Sequence, residues 1–212
     1  MPIDAGATLT VGIGALCDLD PARDLAHTVQ RVVQTAKTLF GADGAGLMLA
    51  DADGALRSAG ASDEPTQTVE AGQERLAEGP GWRAFHARSP VALRDVTREG
   101  DGEITEVLLG ASFKAALSVP IELAGGPIGT LDIYGASPRR WEAGEVAAVH
   151  AYSTVVACAL GAAAAAQAGG RLAAQLRTAL DHRLLVGQAR SVAVTREGID
   201  AAGHPGRRVP SA

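Results

Sequence analysis

The sequence predicts an α+β fold, and three features of its pattern carry that expectation. Apolar residues recur at helical spacing near residues 25–40 and again in a long stretch from residue 142. Between these stretches lie two pairs of short apolar runs. Each pair is joined by a turn rich in Gly with Asp or Pro, as antiparallel hairpins are. Helix, hairpin, variable helical region, hairpin and long helix together make a central antiparallel sheet with flanking helices.

Composition narrows the class. Of 212 residues, 47% are hydrophobic and 20% charged, with 19 Lys+Arg against 24 Asp+Glu, a formal net charge of −5. That is too apolar and too weakly charged for wholesale disorder. The nearest approach to a membrane span is Val155 to Ala168, which is Ala-rich and short, so no membrane association is expected. Met1-Pro2-Ile3-Asp4 has no basic region of a secretory leader. Cys17 and Cys158 stand far apart, with no Cys-x-x-Cys pair. They fit a reducing cytoplasm rather than a disulfide framework or a zinc site.

The elements follow in order. Residues 1–18 are rich in Gly, Thr and Ala and read as a flexible arm. Asp20-Pro21 starts the first helix, Leu25, Val29, Val32, Val33, Ala36, Leu39 and Phe40 form its apolar stripe, and Gly41 stops it. Gly46–Ala50 and Ala55–Ala59 are strands joined by the Asp51-Ala52-Asp53-Gly54 turn. Thr66–Leu76 is helical, with Val69, Gln73 and Leu76 on one side, and Glu78-Gly79-Pro80-Gly81 breaks it. Trp82 to Arg88 makes a further turn or two of helix, and Pro90–Leu93 a brief strand. Asp95–Gly102 reads as a charged loop, followed by a short helix over Ile104–Leu109. Ala115–Ile121 and Gly129–Tyr134 are strands turned by Gly125-Gly126-Pro127, with Pro120 demanding an edge or a bulge. The long helix carries Val146, Val149, Tyr152, Val155, Val156 and Leu160, with Glu142 and Glu145 at its positive end. Its Ala162–Ala166 run is helix-prone but offers little to pack. Past Gly169-Gly170, Leu172, Leu176, Leu180, Leu184 and Leu185 begin a second helical pattern.

Two resemblances emerge from these residues. Glu78-Gly79-Pro80-Gly81 followed by Arg88-Ser89-Pro90-Val91, then Leu117-Ser118-Val119-Pro120-Ile121 and Gly129-Thr130-Leu131-Asp132-Ile133-Tyr134, resemble the centre of a GAF domain. The resemblance covers roughly Leu19 to Ala165 and implies a small-molecule sensor domain at 19–168, with a GAF-like central antiparallel sheet, flanking helices and a C-terminal helical extension. Residues 176–190, from Leu176 through Gln188-Ala189-Arg190, are similar to the opening of an ANTAR domain, with Thr195–Ala202 continuing the pattern. That family is a helical RNA-binding module of bacterial antitermination regulators. It implies a linker and incomplete ANTAR-like segment at 169–203, with Arg183, Gln188, Arg190 and Arg196 contacting RNA. Residues 204–212 match nothing in the family and read as an unstructured tail.

Charge is divided along the same line. Residues 171–212 hold seven Arg against three acids, +4, and residues 1–170 hold twelve Lys+Arg against 21 acids, −9. A basic appendage on an acidic body suits phosphate contacts, and equally an ordinary solvated helix.

In the GAF-like part, Trp82, Phe85 and Phe113 flank the place where such a fold holds a ligand. They are candidate ligand contacts, with core filling as the other reading. His86, beside Phe85, is a candidate ligand or pH-sensing group, or an ordinary surface histidine. The polar set of cyclic-nucleotide-binding relatives, a chromophore-attaching Cys, and the pocket cysteines of sulfoxide-reducing relatives all lack counterparts. No metal-ligand cluster, phosphate loop or Ser/His/Asp order is present, so no cofactor, metal or catalytic residue is assigned. The expectation is a non-enzymatic cytoplasmic homodimer in which a GAF-type sensor is coupled to RNA binding in transcription antitermination. The alternative is a ligand-binding or protein-interaction dimer with no RNA role.

Overall fold

The computed structural model of the chain describes residues 25–123 and 125–166. The arm at 1–18, the Asp20-Pro21 helix start, the segments at 169–203 and 204–212, and Cys17 lie outside the described residues.

Helix α1 (Leu25–Leu39) buries Leu25, Val29, Val32, Val33 and Ala36, and Gly41 stops the chain at φ +55°. β1 (Gly44–Ala50) and β2 (Leu56–Ala61) form the first hairpin. Its turn is built by Asp51, whose Oδ1 accepts from the Asp53 and Ala55 amides at 3.0 and 2.9 Å. α2 (Glu64–Leu76) starts two residues before the expected point. Asp63 caps it, accepting from the Thr66 amide at 2.9 Å, and Pro65 sits in its first turn. α3 (Pro80–Ala87) and β3 (Val91–Leu93) follow.

The segment read as a loop at 95–102 contains a short helix, α4 (Val96–Glu99). Asp95 makes it, accepting from the Thr97 amide at 3.0 Å and from Thr97 Oγ1 at 2.6 Å, a cap that the density of charge hid. α5 (Ile104–Gly110) leads into β4 (Ala115–Leu123) and β5 (Gly126–Gly135). The ladder runs on to Glu122↔Pro127 and Leu123↔Gly126, so both strands outlast their expected bounds. α6 (Ala143–Ala166) closes the described chain.

The five strands form one antiparallel sheet in the order β2-β1-β5-β4-β3. β3 pairs β4 only from Ala116 to Ser118, so Pro120 lies beyond its reach and just before a bulge at Ile121/Glu122. That is the position a residue without an N–H requires.

Side chains alternate across this sheet with a period of two. Ala45, Leu47, Leu49, Ala115, Leu117, Val119, Ile121, Leu131 and Ile133 face one way, into the main core with α1 and α6. Met48, Ala116, Ser118, Thr130, Asp132 and Tyr134 alternate with them. They face the other layer, where α2, α3 and α5 lie over the sheet.

The α6 layer is pinned by specific bonds. Tyr152 donates to the Val32 carbonyl at 3.1 Å and meets Phe40 edge-on, centroids 5.8 Å apart. Trp141 Nε1 donates to the Leu93 carbonyl at 3.1 Å, and the Arg139 guanidinium lies 4.5 Å above its ring. Two expectations about α6 are corrected. The alanine run does pack, because Ala163 and Ala164 are buried in the core with Leu160. A membrane-width apolar stretch does exist. Ala143–Ala164 has a mean hydropathy of 1.6 and meets the length requirement, because the helix begins well before Val155. Its inner side is core, with Val149, Tyr152, Val156 and Leu160 buried against α1 and the sheet.

Candidate functional site

Between the sheet and α2–α3 the structure places a buried polar cluster. Helix α2 presents Thr66, Val69, Glu70 and Gln73 inward, at the three- and four-residue steps of one helix face. Glu70 is 0% exposed and accepts a 2.8 Å hydrogen bond from the Tyr134 hydroxyl. Gln73 Nε2 donates to the Tyr134 oxygen at 3.0 Å and to Glu70 Oε2 at 3.4 Å. Its other end, Oε1, accepts from the Gly81 amide at 2.8 Å. One carboxamide thus joins the acid to the first turn of α3.

Beside it, on β5, Asp132 is also 0% exposed. Thr130 donates to its Oδ2 at 2.9 Å. Its Oδ1, and the Oγ of buried Ser118 across the β4–β5 ladder, have no hydrogen-bond partner among the described residues. Ser118 is near enough to favour the Asp132 carboxylate all the same.

Glycines make room for these groups. A Cβ at Gly46 would come within 1.8 Å of Glu70 Oε1, and one at Gly81 within 2.9 Å of Asp132 Oδ1. Both are sites where the backbone must approach a carboxyl group closely.

Electrostatics follow from this packing. Burial pushes the Glu70 carboxyl well above its ordinary range, and the neighbouring Asp132 adds to the shift, against the bonds from Tyr134 and Gln73. Burial likewise raises Asp132, to about 6, although Ser118 and Thr130 favour its ionised form. Tyr134 is raised by burial and by both carboxyls, so it stays a phenol and a donor.

A cavity of about 310 Å³ adjoins the cluster, lined by Ala77, Glu78, Gly79, Trp82, Arg83 and Asp101 with Gly102. Gly79 borders it and packs on Gln73, where a Cβ would meet Oε1 at 2.5 Å. Gly79 holds φ +113°, a conformation that glycine alone adopts freely. The Gly79–Gly81 segment therefore borders both the cavity and the polar cluster.

The four residues singled out from sequence disperse. Trp82 lines the cavity, and His86 stacks on it with ring centroids 4.0 Å apart, its Nδ1 2.9 Å from the Trp82 carbonyl. His86 is exposed. Phe85 packs with Met48, Ala50 and Leu56, and Phe113 stacks on Tyr134 at 4.9 Å beside Val69 and Leu108. Phe85 and Phe113 thus sit in apolar clusters, and neither lines the cavity. Arg183, Gln188, Arg190 and Arg196 lie outside the described residues.

Sequence reasoning did not mark Glu70, Asp132, Ser118, Thr130 or Tyr134 as site residues, although the last four stand in the runs that resemble a GAF domain. The signal was there: Thr130, Asp132 and Tyr134 alternate with Leu131 and Ile133, a polar face on a strand with no exposed residue. Among the described residues no group of three His, Cys, Asp or Glu side chains could hold a metal.

Comparison with known proteins agrees with this geometry. The GAF domain of the Acinetobacter phosphoenolpyruvate-protein phosphotransferase superposes with a TM-score of 0.62 at 13% identity, covering 76% of this chain and 95% of that one. The free methionine-R-sulfoxide reductase of Neisseria meningitidis, solved with its substrate, gives 0.61 at 16%, covering 77% and 92%. The third GAF domain of a Synechocystis protein, in its photoproduct state, gives 0.52 at 18%, covering 63% and 91%. At these identities the likeness is one of fold. No curated protein matches the sequence. The GAF domain family model matches residues 22–160, and nothing found supports the ANTAR-like reading of 169–203. With the sheet, its two helical layers and that match in hand, the chain belongs to the GAF domain family, typically signal-sensing, ligand-binding modules.

Proposed function

We propose that this GAF domain is a non-enzymatic sensor that binds a small molecule between its sheet and the α2–α3 layer. The observation that carries the reading is the buried, partly unpartnered polar cluster of Asp132 and Ser118, set beside a 310 Å³ cavity. Buried polar atoms cost free energy unless paired, so a fold that keeps them there favours an occupant that pairs them. Screening a metabolite library by thermal shift tests this. Hits should lose their effect in Asp132→Asn, and a full set of hits indifferent to that change overturns the reading.

The neighbours in fold include a reductase, so catalysis is the competing class. Against it stands the position of Cys158, exposed on α6, on the far side of the sheet from the cluster. The Cys17→Ser/Cys158→Ser double variant should match wild type in methionine sulfoxide turnover with dithiothreitol, both at background.

The output we infer is RNA binding by residues 169–203 in transcription antitermination, within a cytoplasmic homodimer, with Arg183, Gln188, Arg190 and Arg196 on phosphates and base edges. The +4 charge of residues 171–212 against −9 elsewhere favours it. No aromatic residue follows Tyr152, so stacking has no part. Removing residues 171–212 should abolish binding to a hairpin RNA, and affinity should fall steeply with salt. Equal affinity of the full and shortened chains removes the RNA role and leaves a ligand-binding dimer. Sedimentation at micromolar concentration reads the dimer directly.

A further inference from the structure

Glu70 and Asp132 form a buried acidic pair without a counter-charge. Both are 0% exposed, and among the described residues no cation acts on either carboxyl. Two carboxylates cannot both ionise out of water without compensation. With the cavity unfilled, a single proton held by the pair satisfies it, leaving one net negative charge. The donors at hand are unevenly shared. Tyr134 and Gln73 serve Glu70 and Thr130 serves Asp132 Oδ2, while Asp132 Oδ1 and the Ser118 hydroxyl oxygen are left over. At Asp132 and Ser118 the unpaired atoms are acceptors, and a hydroxyl that turns its hydrogen to Asp132 keeps lone pairs free, while on the cavity side the Arg83 Nε–H is a donor without a partner among the described residues.

We propose that Asp132 and Ser118 seat the protonated amino group of a small primary amine, with Glu70 holding the pair's one proton. This rests on the ligand-binding reading above and names its ligand class. An ammonium carries three donors and one positive charge. One N–H goes to Asp132 Oδ1 and another to Ser118 Oγ. The pair keeps its one proton as the ammonium arrives, so the net charge of the site goes from one negative to zero. A metal ion is a poorer match, because no cluster of three ligating side chains forms here among the described residues.

The way in is the start of α3. Gly81 covers Asp132 Oδ1 so closely that a Cβ would stand 2.9 Å from it, and the Gly81 amide is held by Gln73. The cavity reaches Gly79, two residues away. The amine passes this segment, and the rest of the ligand occupies the cavity beside Trp82.

The test uses the full chain with methylamine and benzylamine as probes, and benzyl alcohol and benzoate as neutral and anionic counterparts, at pH 7.5 and constant ionic strength. Thermal shift and Trp82 fluorescence in a Trp141→Phe background are the readouts. Benzylamine should raise Tm with saturation and the alcohol and benzoate should not. Calorimetry in two buffers of different ionisation heat should show no net proton release as the amine binds, and release of a full proton overturns the charge assignment. Asp132→Asn and Ser118→Ala should each weaken the amine at least tenfold. Ser118→Ala carries the test if Asp132→Asn does not fold. Amines no better than sodium chloride, or variants that respond like wild type, overturn the proposal. If the alcohol or benzoate saturates instead, with sensitivity to Asp132→Asn, the ammonium class falls and the pocket reading survives. If library hits also ignore Asp132→Asn, both fall.

Discussion

Arg88 and Ala77 end their helices in the left-handed region, at φ 52° and 53°, where a Cβ is strained. Arg88→Gly should therefore stabilise the domain by about 1 kcal/mol in urea unfolding. Glu70 sets a pH dependence. Its carboxyl and that of Asp132 bind protons more tightly folded than unfolded, so their favourable contribution is complete below the ordinary carboxylate value of 3.8. The share of Asp132 is lost as pH rises through about 6, and that of Glu70 as pH rises through its own raised value. Glu70→Gln keeps the acceptor for Tyr134 and removes the charge. It should be more stable than wild type at pH 8, with the gap closing towards pH 5. Parallel denaturation curves at the two values check this. Asp63 behaves oppositely. Burial disfavours its charge, but bonds from Lys37, Ser62 and Thr66 prevail and hold it at about 2. The Asp63 cap is thus fully effective above 3.8 and fails as pH falls towards 2. Asp63→Asn keeps the cap but loses the charge that pairs with Lys37, and should cost up to about 1 kcal/mol at pH 7 and little at pH 2. Glu70 and Asp63 did not stand out in the sequence, because Tyr134 and Lys37, which bond them, lie far along the chain.

The elements themselves were largely legible. Period-3.6 stripes marked α1 and α6, and Gly and Pro marked the hairpin turns, because those signals are local. α4 was not, since a four-residue helix has no periodicity to show and depends on the Asp95 cap. The candidate site was only partly legible. Aromatics drew attention to α3, but Phe85 and Phe113 went to packing, and the polar cluster needs α2 and β5 brought together over some sixty residues of chain. The α2–β1 contact depends on Gly46. Gly46→Ala should destabilise the domain by about 3 kcal/mol, because Glu70 must leave its place and Tyr134 loses its acceptor. Calorimetric unfolding reads this, and Glu70→Ala in the same chain should recover part of the loss.

At the scale of the whole molecule, three layers give the domain two interiors of different character. One, with α1 and α6, is apolar and pinned by Tyr152 and Trp141. Tyr152→Phe should cost about 1 kcal/mol by leaving the Val32 carbonyl unpaired, measured in urea. The other interior holds the acids and borders the cavity. The sheet between them is one residue thick. Along β5, Leu131 and Ile133 bear on the α1–α6 core while Asp132, between them, belongs to the acid pair. No separate wire is then needed to carry news from one interior to the other. A displacement of Asp132 would move its chain neighbours, whose side chains belong to the core that α6 shares with the sheet.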